Sequence, residues 1–246
     1  MNSISSNLNI MIKATEKASK ILIRDFGELE KLQVSKKGVA DFVTNSDLKV
    51  EKIIIEELKK ARPDFSFISE ENGIKNNKNI NNTWIIDPID GTINFLHGVP
   101  HFAISIALRS NNEIVSGLIY DPIKDEMFFA EKNSGAFLNN QKIRVSRKNN
   151  IENCLFTTGG ILEKEPDFLY RKSGCAALDL AYVAAGRYDG YFQKHLNLWD
   201  IAAGIVLLNE AGGVMNELNL DTLNHIKIIA SNPNINAKFK EKLHNF

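Results

Sequence analysis

The chain has 246 residues and carries 30 basic and 30 acidic side chains, so its formal net charge is zero. That balance supplies no long-range attraction to nucleic acid or an acidic membrane surface, although a whole-chain sum does not describe local patches. With 43% hydrophobic residues the chain can fill one large core or two closely packed ones, and two cysteines, Cys154 and Cys175, are too few for a disulfide framework, which points to a reduced, cytoplasmic setting.

The first twenty residues contain no continuous apolar stretch of the signal-peptide kind, and no run reaches the roughly 18 apolar residues of a bilayer span. Leu8, Met11, Ile12, Ile21 and Leu22 recur at helical spacing and predict a first helix over about residues 4–27, closing near Phe26-Gly27. A short strand-like run is expected next. Asn45 or Ser46 then reads as the N-cap of a second helix, with Val50, Ile54 and Leu58 on one face and an end before Pro63. Residues 65–68 predict a strand leading into Ser69-Glu70-Glu71, and the Asn-rich stretch 72–82 a loop.

Thr83 to Ile86 is expected as a short buried strand. Beyond it Phe102, Ile104, Ile106 and Leu108 alternate with small or polar residues, and 114–120, 126–131 and 135–145 continue as antiparallel strands, with Asn139-Asn140 as a hairpin turn. Helix and strand alternate again later: helix over 176–185, strand over 188–193, helix over 200–211 closing at Gly212-Gly213. No repeat or low-complexity linker interrupts the chain. The expectation is a single unit made of two packed α+β layers, about 1–145 and about 146–246.

The segment Asp87-Pro88-Ile89-Asp90-Gly91-Thr92 follows a buried strand and precedes a turn that can open a helix. Two carboxylates three residues apart, joined by a proline-stiffened bend, can face one centre, and Ile89 can offer its carbonyl while its side chain packs. Gly91 allows close backbone approach to a phosphate, and Thr92 supplies a hydroxyl to orient a water. Oxygen donors of this kind suit Mg²⁺ rather than zinc. A DP turn with ordinary Asp-Gly hairpin chemistry is the bland reading. It is strained by three further acids in telling positions: Glu70 at a strand end, Asp47 after Thr-Asn-Ser at a helix start, and Asp200 after Trp199 at another helix start.

Four stretches in order carry a resemblance to the inositol monophosphatase family, within the lithium-sensitive, Mg²⁺-dependent phosphatase superfamily. They are Asp41-Phe42-Val43-Thr44-Asn45-Ser46-Asp47; Phe67-Ile68-Ser69-Glu70-Glu71; Trp84 through Phe95; and Trp199-Asp200-Ile201-Ala202-Ala203-Gly204 with Glu210-Ala211-Gly212-Gly213. The stretches from Phe95 to Phe102 and from Ala177 to Arg187 look like the bacterial branch. The resemblance implies a layered αβαβα sandwich of the α+β class and hydrolysis of a small phosphorylated polyol, with inositol 1-phosphate as the first expectation. It implies two or three Mg²⁺ ions per site: Glu70, Asp87 and the Ile89 carbonyl on the first, and Asp87, Asp90 and Asp200 on the second. Glu70 and Thr92 would position the attacking water, Asp47 would hydrogen bond to and polarise Thr92, and the amides of Gly91 and Thr92 would bind phosphate. A homodimer is implied as well.

The substrate pocket departs from the family pattern. Gln193 stands where relatives often have an acid that bonds inositol hydroxyls, and Cys175, within Gly174-Cys175-Ala176, replaces a hydroxyl lining the same pocket. The segment 159–172 is short, so a looser specificity is expected. Cys175 reads as a packed small residue rather than a reactive thiol, His97 and His101 as packing or hydrogen-bonding groups rather than ligands, Trp84 and Trp199 as core anchors, and Lys36-Lys37 as a solvated pair. Sugar-bisphosphate, histidinol-phosphate and 3′-phosphoadenosine phosphatases stay open as alternatives. So does a binding role with the transcription machinery or in RNA processing, with nucleic acid itself not expected as the main partner.

Overall fold

The N-terminal helices, α1 (Ser6–Ser35) and α2 (Val39–Ala61), form because each has an apolar stripe along one face. Leu8, Met11, Ala14, Ala18, Leu22 and Leu29 of α1 and Val50, Ile54 and Leu58 of α2 are buried in one shared cluster. Ser5 starts α1 by accepting the Leu8 N–H at 3.1 Å. The computed structural model describes residues 4–35, 39–160, 162 and 165–243, the side chains of 30–35 and 39–44 excepted.

Two boundaries differ from the sequence reading. Helix α1 does not close at Phe26-Gly27 but runs to Ser35, where a strand-like run was expected. Glycine costs about 1 kcal/mol in a helix interior, and the buried residues on either side of it, Asp25 and Leu29, outweigh that local penalty. Asp25 also accepts the Ser46 hydroxyl at 2.7 Å and pairs with Arg24, which ties α1 to α2 inside the protein. Helix α2 starts at Val39, so Asn45 and Ser46 are interior residues and not caps, and Asp47 lies well inside the helix rather than at its start. Lys36 and Lys37 lie outside the described residues.

The large sheet contains β1 (Phe65–Ser69), β2 (Gly73–Lys75), β3 (Asn79–Asp90), β4 (Ala103–Ser110), β5 (Glu113–Asp121), β6 (Glu126–Glu131), β7 (Gly135–Leu138) and β8 (Gln141–Ile143), in the order β2-β1-β3-β4-β5-β6-β7-β8. Strands β1 and β3 run parallel; the other pairs are antiparallel. The Asn-rich stretch is therefore not a plain loop: it supplies β2, at the sheet edge, and the first residues of β3. There Asn77 donates to the Phe65 carbonyl at 2.6 Å and its own N–H bonds Ser66 Oγ at 3.0 Å. The expected turn at Asn139-Asn140 joins β7 and β8, with Asn139 at φ 52°.

A smaller sheet follows, ordered β10-β9-β11-β13-β12, from β9 (Phe156–Thr158), β10 (Tyr170–Lys172), β11 (Gly190–Leu196), β12 (Val214–Met215) and β13 (Ile226–Ser231). Between the sheets lie α4 (Ala176–Ala184) and α5 (Leu198–Glu210), both buried nearly all round, so they are apolar on every face. One cluster joins Ile85, Ile119 and Phe128 of the large sheet to Tyr191 and Ile228 of the small one through these helices. Contact is close: a Cβ on Gly117 of β5 would stand 2.6 Å from the Ala203 carbonyl of α5. Helix α6 (Asn236–Lys242) covers the outer face of the small sheet with Phe239 against Phe156 and Phe192. The stack α1/α2, large sheet, α4/α5, small sheet, α6 is the expected αβαβα sandwich. Among the described residues, no helix is long and apolar enough to cross a membrane.

Candidate active site

The site starts at the end of β3, where Trp84, Ile85 and Ile86 anchor the strand in the core. Asp87 pairs with Ser105 and Asp90 with Ala103, so three steps on β3 match two on β4. The bulge falls at Pro88, which has no N–H to give to a ladder. Across it the Ile89 N–H bonds Asp87 Oδ1 at 3.0 Å, the Ile89 side chain is fully buried, and its carbonyl accepts the Thr92 hydroxyl at 2.9 Å. Gly91 has φ +90°, and a Cβ there would stand 3.0 Å from the His101 carbonyl oxygen and 3.2 Å from Cys175 Cβ. Only glycine meets both demands. The chain then enters the short helix α3 (Thr92–Leu96).

Two other segments deliver acids to this point. Because β1 is the parallel neighbour of β3, their C-terminal ends coincide. Ser69 pairs with Ile86, and the Glu70 N–H reaches the Ile86 carbonyl at 3.3 Å. The Glu70 and Asp87 carboxyls lie close enough to perturb each other, the contact lowering the pKa of Glu70 and raising that of Asp87. Asp200 lies in the first turn of α5, where its Oδ2 accepts the Asn197 N–H at 2.7 Å in a capping box. Asp90 Oδ2 accepts the Ala177 N–H at 2.6 Å and the Cys175 thiol at 3.0 Å, linking β3 to the start of α4.

Burial, and then mutual repulsion, holds these acids protonated far above the ordinary carboxylate range. Asp87 is pushed well up by burial, then by Glu70, Asp90 and Asp200. Asp90 rises to about 6 through burial, against the hydrogen bonds from Cys175, Ala177, Ala176 and Gly91 that favour its charge. Glu70, exposed at the rim but cut off from water on its inner side, and Asp200 each rise to about 7, with loss of solvent the largest cause. Asp47 reaches about 8, first from burial and then from Glu71, Glu70 and Glu51. Among the described residues none of the five has a Lys or Arg partner.

An array of clustered carboxylate oxygens with no cationic partner among the described residues fits a hard divalent cation, which would relieve the repulsion. Among the described residues, no three acidic, histidine or cysteine side chains already converge as a finished metal cage. One oxygen each of Asp87, Asp90 and Asp200 is turned to a backbone N–H.

One expected contact is absent. Thr92 donates to the Ile89 carbonyl, three residues back across the turn, and not to Asp47, whose buried Oδ1 has no partner. The pocket residues gather beside the acids. Gly174 has φ +78° and adjoins the Asn94 amide, which clamps the wall by donating to the carbonyls of His101 at 2.8 Å and Ser173 at 2.9 Å. Cys175 is buried, its thiol raised well above the ordinary value by burial and then by Asp90. Ala176 opens α4. Gln193 Oε1 accepts the Gly159 N–H and the Tyr191 hydroxyl.

His97 is exposed in the loop after α3. His101 lies edge-on to Tyr182, and its Nε2 is buried without a partner. Trp84 is a core residue, and Trp199 is half-buried against the central cluster.

Sequence reasoning missed two supporting acids. Glu51, buried in α2, accepts Ser69 Oγ at 2.9 Å and the N–H groups of Glu71 and Asn72 at 3.0 and 3.1 Å, so it holds the turn that carries Glu70. Asp179, buried in α4, accepts Thr157 Oγ1 at 2.8 Å and Ser173 Oγ at 2.6 Å. Each interrupts an apolar stripe, and that was the available signal.

The profile of the inositol monophosphatase family matches residues 4–245. The inositol-1-monophosphatase of Caulobacter vibrioides is 43% identical over 95% of this chain and 99% of that protein. The Nus factor SuhB of Xylella fastidiosa is 41% identical over 84% of this chain and 80% of that protein. The crystal structure of extragenic suppressor protein suhB from Bartonella henselae is similar with a TM-score of 0.87 and 45% identity, covering 97% of this chain and 98% of that one.

Proposed function

The chain belongs to the inositol monophosphatase family, a family of generally metal-dependent phosphatases, and from that premise we propose that it is a Mg²⁺-dependent phosphomonoesterase acting on a small phosphorylated polyol. Inositol 1-phosphate is the first substrate to test. The reading is carried by one observation: Glu70, Asp87, Asp90 and Asp200, from three separate segments, perturb one another with no Lys or Arg partner among the described residues to balance them.

Glu70, Asp87 and the Ile89 carbonyl would hold one ion, and Asp87, Asp90 and Asp200 a second, with room in the proposal for a third. Bound there, Mg²⁺ would offset the charge of the phosphate and acidify the attacking water. Glu70 and Thr92 would orient that water. Asp47, with its unpartnered buried oxygen, would turn toward Thr92 when the site is loaded. The N–H groups of Gly91 and Thr92, brought close by the left-handed backbone at Gly91, would bond phosphate oxygens. Gly174, Cys175, Ala176 and Gln193 would line the alcohol side.

The test is phosphate release from inositol 1-phosphate by EDTA-treated protein as Mg²⁺ is restored, then with Li⁺ added. Release should rise from background with Mg²⁺ and fall with Li⁺. Equal turnover in EDTA sinks the metal assignment. The proposal includes a homodimer and a cytoplasmic setting. A second reading, a Nus factor role in transcription, rests on relatives bearing that name; native affinity purification that recovers only the protein itself would count against it.

A further inference from the structure

Glu70 is held differently from the other clustered acids. Asp87 and Asp90 flank a bulge in a buried strand, and Asp200 lies in the first turn of the buried helix α5. Glu70 instead opens the three-residue loop, 70–72, that turns β1 into β2 through Gly73 at φ +66°. All three loop residues are exposed, and short exposed loops move unless something ties them down. Packing does not do so from the outer side. A pocket of about 370 Å³ opens there, with Leu48, Lys52, Phe67, Ser69, Asn72 and Gly73 in its lining, and a Cβ on Gly73 would meet nothing within 4 Å.

The tie comes from α2. Glu51 follows Asp47 by one turn and precedes the buried Ile54 and Leu58, and it is itself fully buried. Its Oε2 accepts the Glu71 N–H at 3.0 Å. Its Oε1 accepts Ser69 Oγ at 2.9 Å, the Asn72 N–H at 3.1 Å and the Asn72 side-chain amide. These donors stand on both sides of Glu70, whose own N–H reaches the Ile86 carbonyl of β3. Burying a carboxyl is costly unless its hydrogen bonds are complete, and here the loop completes them. Both oxygens act as acceptors, so an amide cannot take the place: glutamine would aim its NH₂ either at the Glu71 N–H or at the three donors opposite.

Resting on the metal-dependent phosphatase reading, we propose that Glu51 is a positioning residue for the reaction. By fastening the 70–72 loop to α2 it keeps the Glu70 carboxyl beside Asp87, so that Mg²⁺ affinity and turnover depend on a side chain that touches neither ion nor substrate. The restraint is needed because Glu70 repels Asp87 and is repelled by Asp90. Like charges at the end of an exposed loop separate into water unless the backbone prevents it. Groups that hold a metal ligand without touching the metal are worth about 10- to 100-fold in metal affinity or activity.

Glu51→Gln, Ser69→Ala, Glu70→Gln and the double variant Glu51→Gln/Glu70→Gln test this. Calorimetric titration of EDTA-treated protein with Mg²⁺ alone reads metal affinity, phosphate release from inositol 1-phosphate gives kcat and KM, and circular dichroism reports the fold. Glu51→Gln should keep the wild-type spectrum, bind Mg²⁺ about tenfold more weakly and lose about 10- to 100-fold in kcat at saturating Mg²⁺, with KM for the ester changed less than about threefold. Ser69→Ala removes one of the four bonds and keeps the acid, so Mg²⁺ should bind about threefold more weakly. The double variant should be no more than about threefold slower than Glu70→Gln alone, because Glu51 acts through Glu70. Mg²⁺ affinity and kcat at the wild-type level in both Glu51→Gln and Ser69→Ala overturn the inference, as do losses that multiply in full in the double variant. Where Glu51→Gln does not fold, wild-type Mg²⁺ affinity in Ser69→Ala overturns it alone. A wild type that neither binds Mg²⁺ nor releases phosphate overturns the phosphatase reading beneath it, a different result from a working wild type with unaffected variants.

Discussion

Replacing Asp90 by Asn should stabilise the metal-free protein while removing its activity. Burial lifts Asp90 from an ordinary 3.8 to about 6, and two units correspond to about 3 kcal/mol held against the folded state once the group is ionised. An acid with a raised folded-state pKa binds protons more tightly folded than unfolded. Its contribution is therefore fully present below about pH 4 and lost as pH rises through about 6, after which it is level. Asparagine keeps an oxygen for the Ala177 N–H and the Cys175 thiol and carries no charge. Its NH₂ would meet the Gly91 and Ala176 N–H groups that now favour the charged carboxylate, so the net gain is smaller, about 1–2 kcal/mol.

At roughly 2–4 °C per kcal/mol for a chain of this size, Tm in EDTA at pH 7.5 should rise by a few degrees. The difference should close toward pH 4. Mg²⁺ at about a hundred times its Kd should stabilise the wild type by about 2.7 kcal/mol and the variant much less. The assay is thermal unfolding from pH 4 to 8, with and without Mg²⁺, beside phosphate release. A variant that melts lower than wild type in EDTA at pH 7.5, or a Tm difference indifferent to pH, refutes the electrostatic account; full turnover refutes the ligand role.

Two further substitutions probe the scaffold. Gly91→Ala must accept a left-handed φ and a 3.0 Å approach to the His101 carbonyl, which together should cost about 2–3 kcal/mol in urea unfolding and lower kcat by displacing Asp90 and Thr92; a loss under about 0.5 kcal/mol with normal kcat contradicts the reading. Asp179→Ala leaves Thr157 and Ser173 without their acceptor inside the protein, for a loss of about 2–4 kcal/mol. Burial raises the Asp179 carboxyl to about 8, so its contribution is present at low pH and drains away as pH rises through about 8; Asp179→Asn should flatten that slope, and an unchanged slope excludes Asp179 as its source.

The acids and the turn at the centre of this protein were legible in the sequence because they are local. A buried strand, a proline that cannot pair, and a glycine that can turn left-handed place Asp87, Ile89, Asp90 and Thr92 within six consecutive residues. The alternation of Phe102, Ile104, Ile106 and Leu108, and the apolar runs of α4 and α5, likewise follow from period and burial alone.

What depends on partners distant in the chain was decided by the tertiary structure. Glu70 meets Asp87 because β1 runs parallel beside β3, and Asp200 joins them because α5 is held between two sheets. Burial of Asp25 and Leu29 carries α1 through a glycine that local propensity marks as a stop. Gln193 was visible as an amide in place of an acid. Only the Gly159 N–H and Tyr191 hydroxyl, 34 and 2 residues away, decide that its oxygen is occupied, because an amide's direction is set by the donors around it and not by its own side chain.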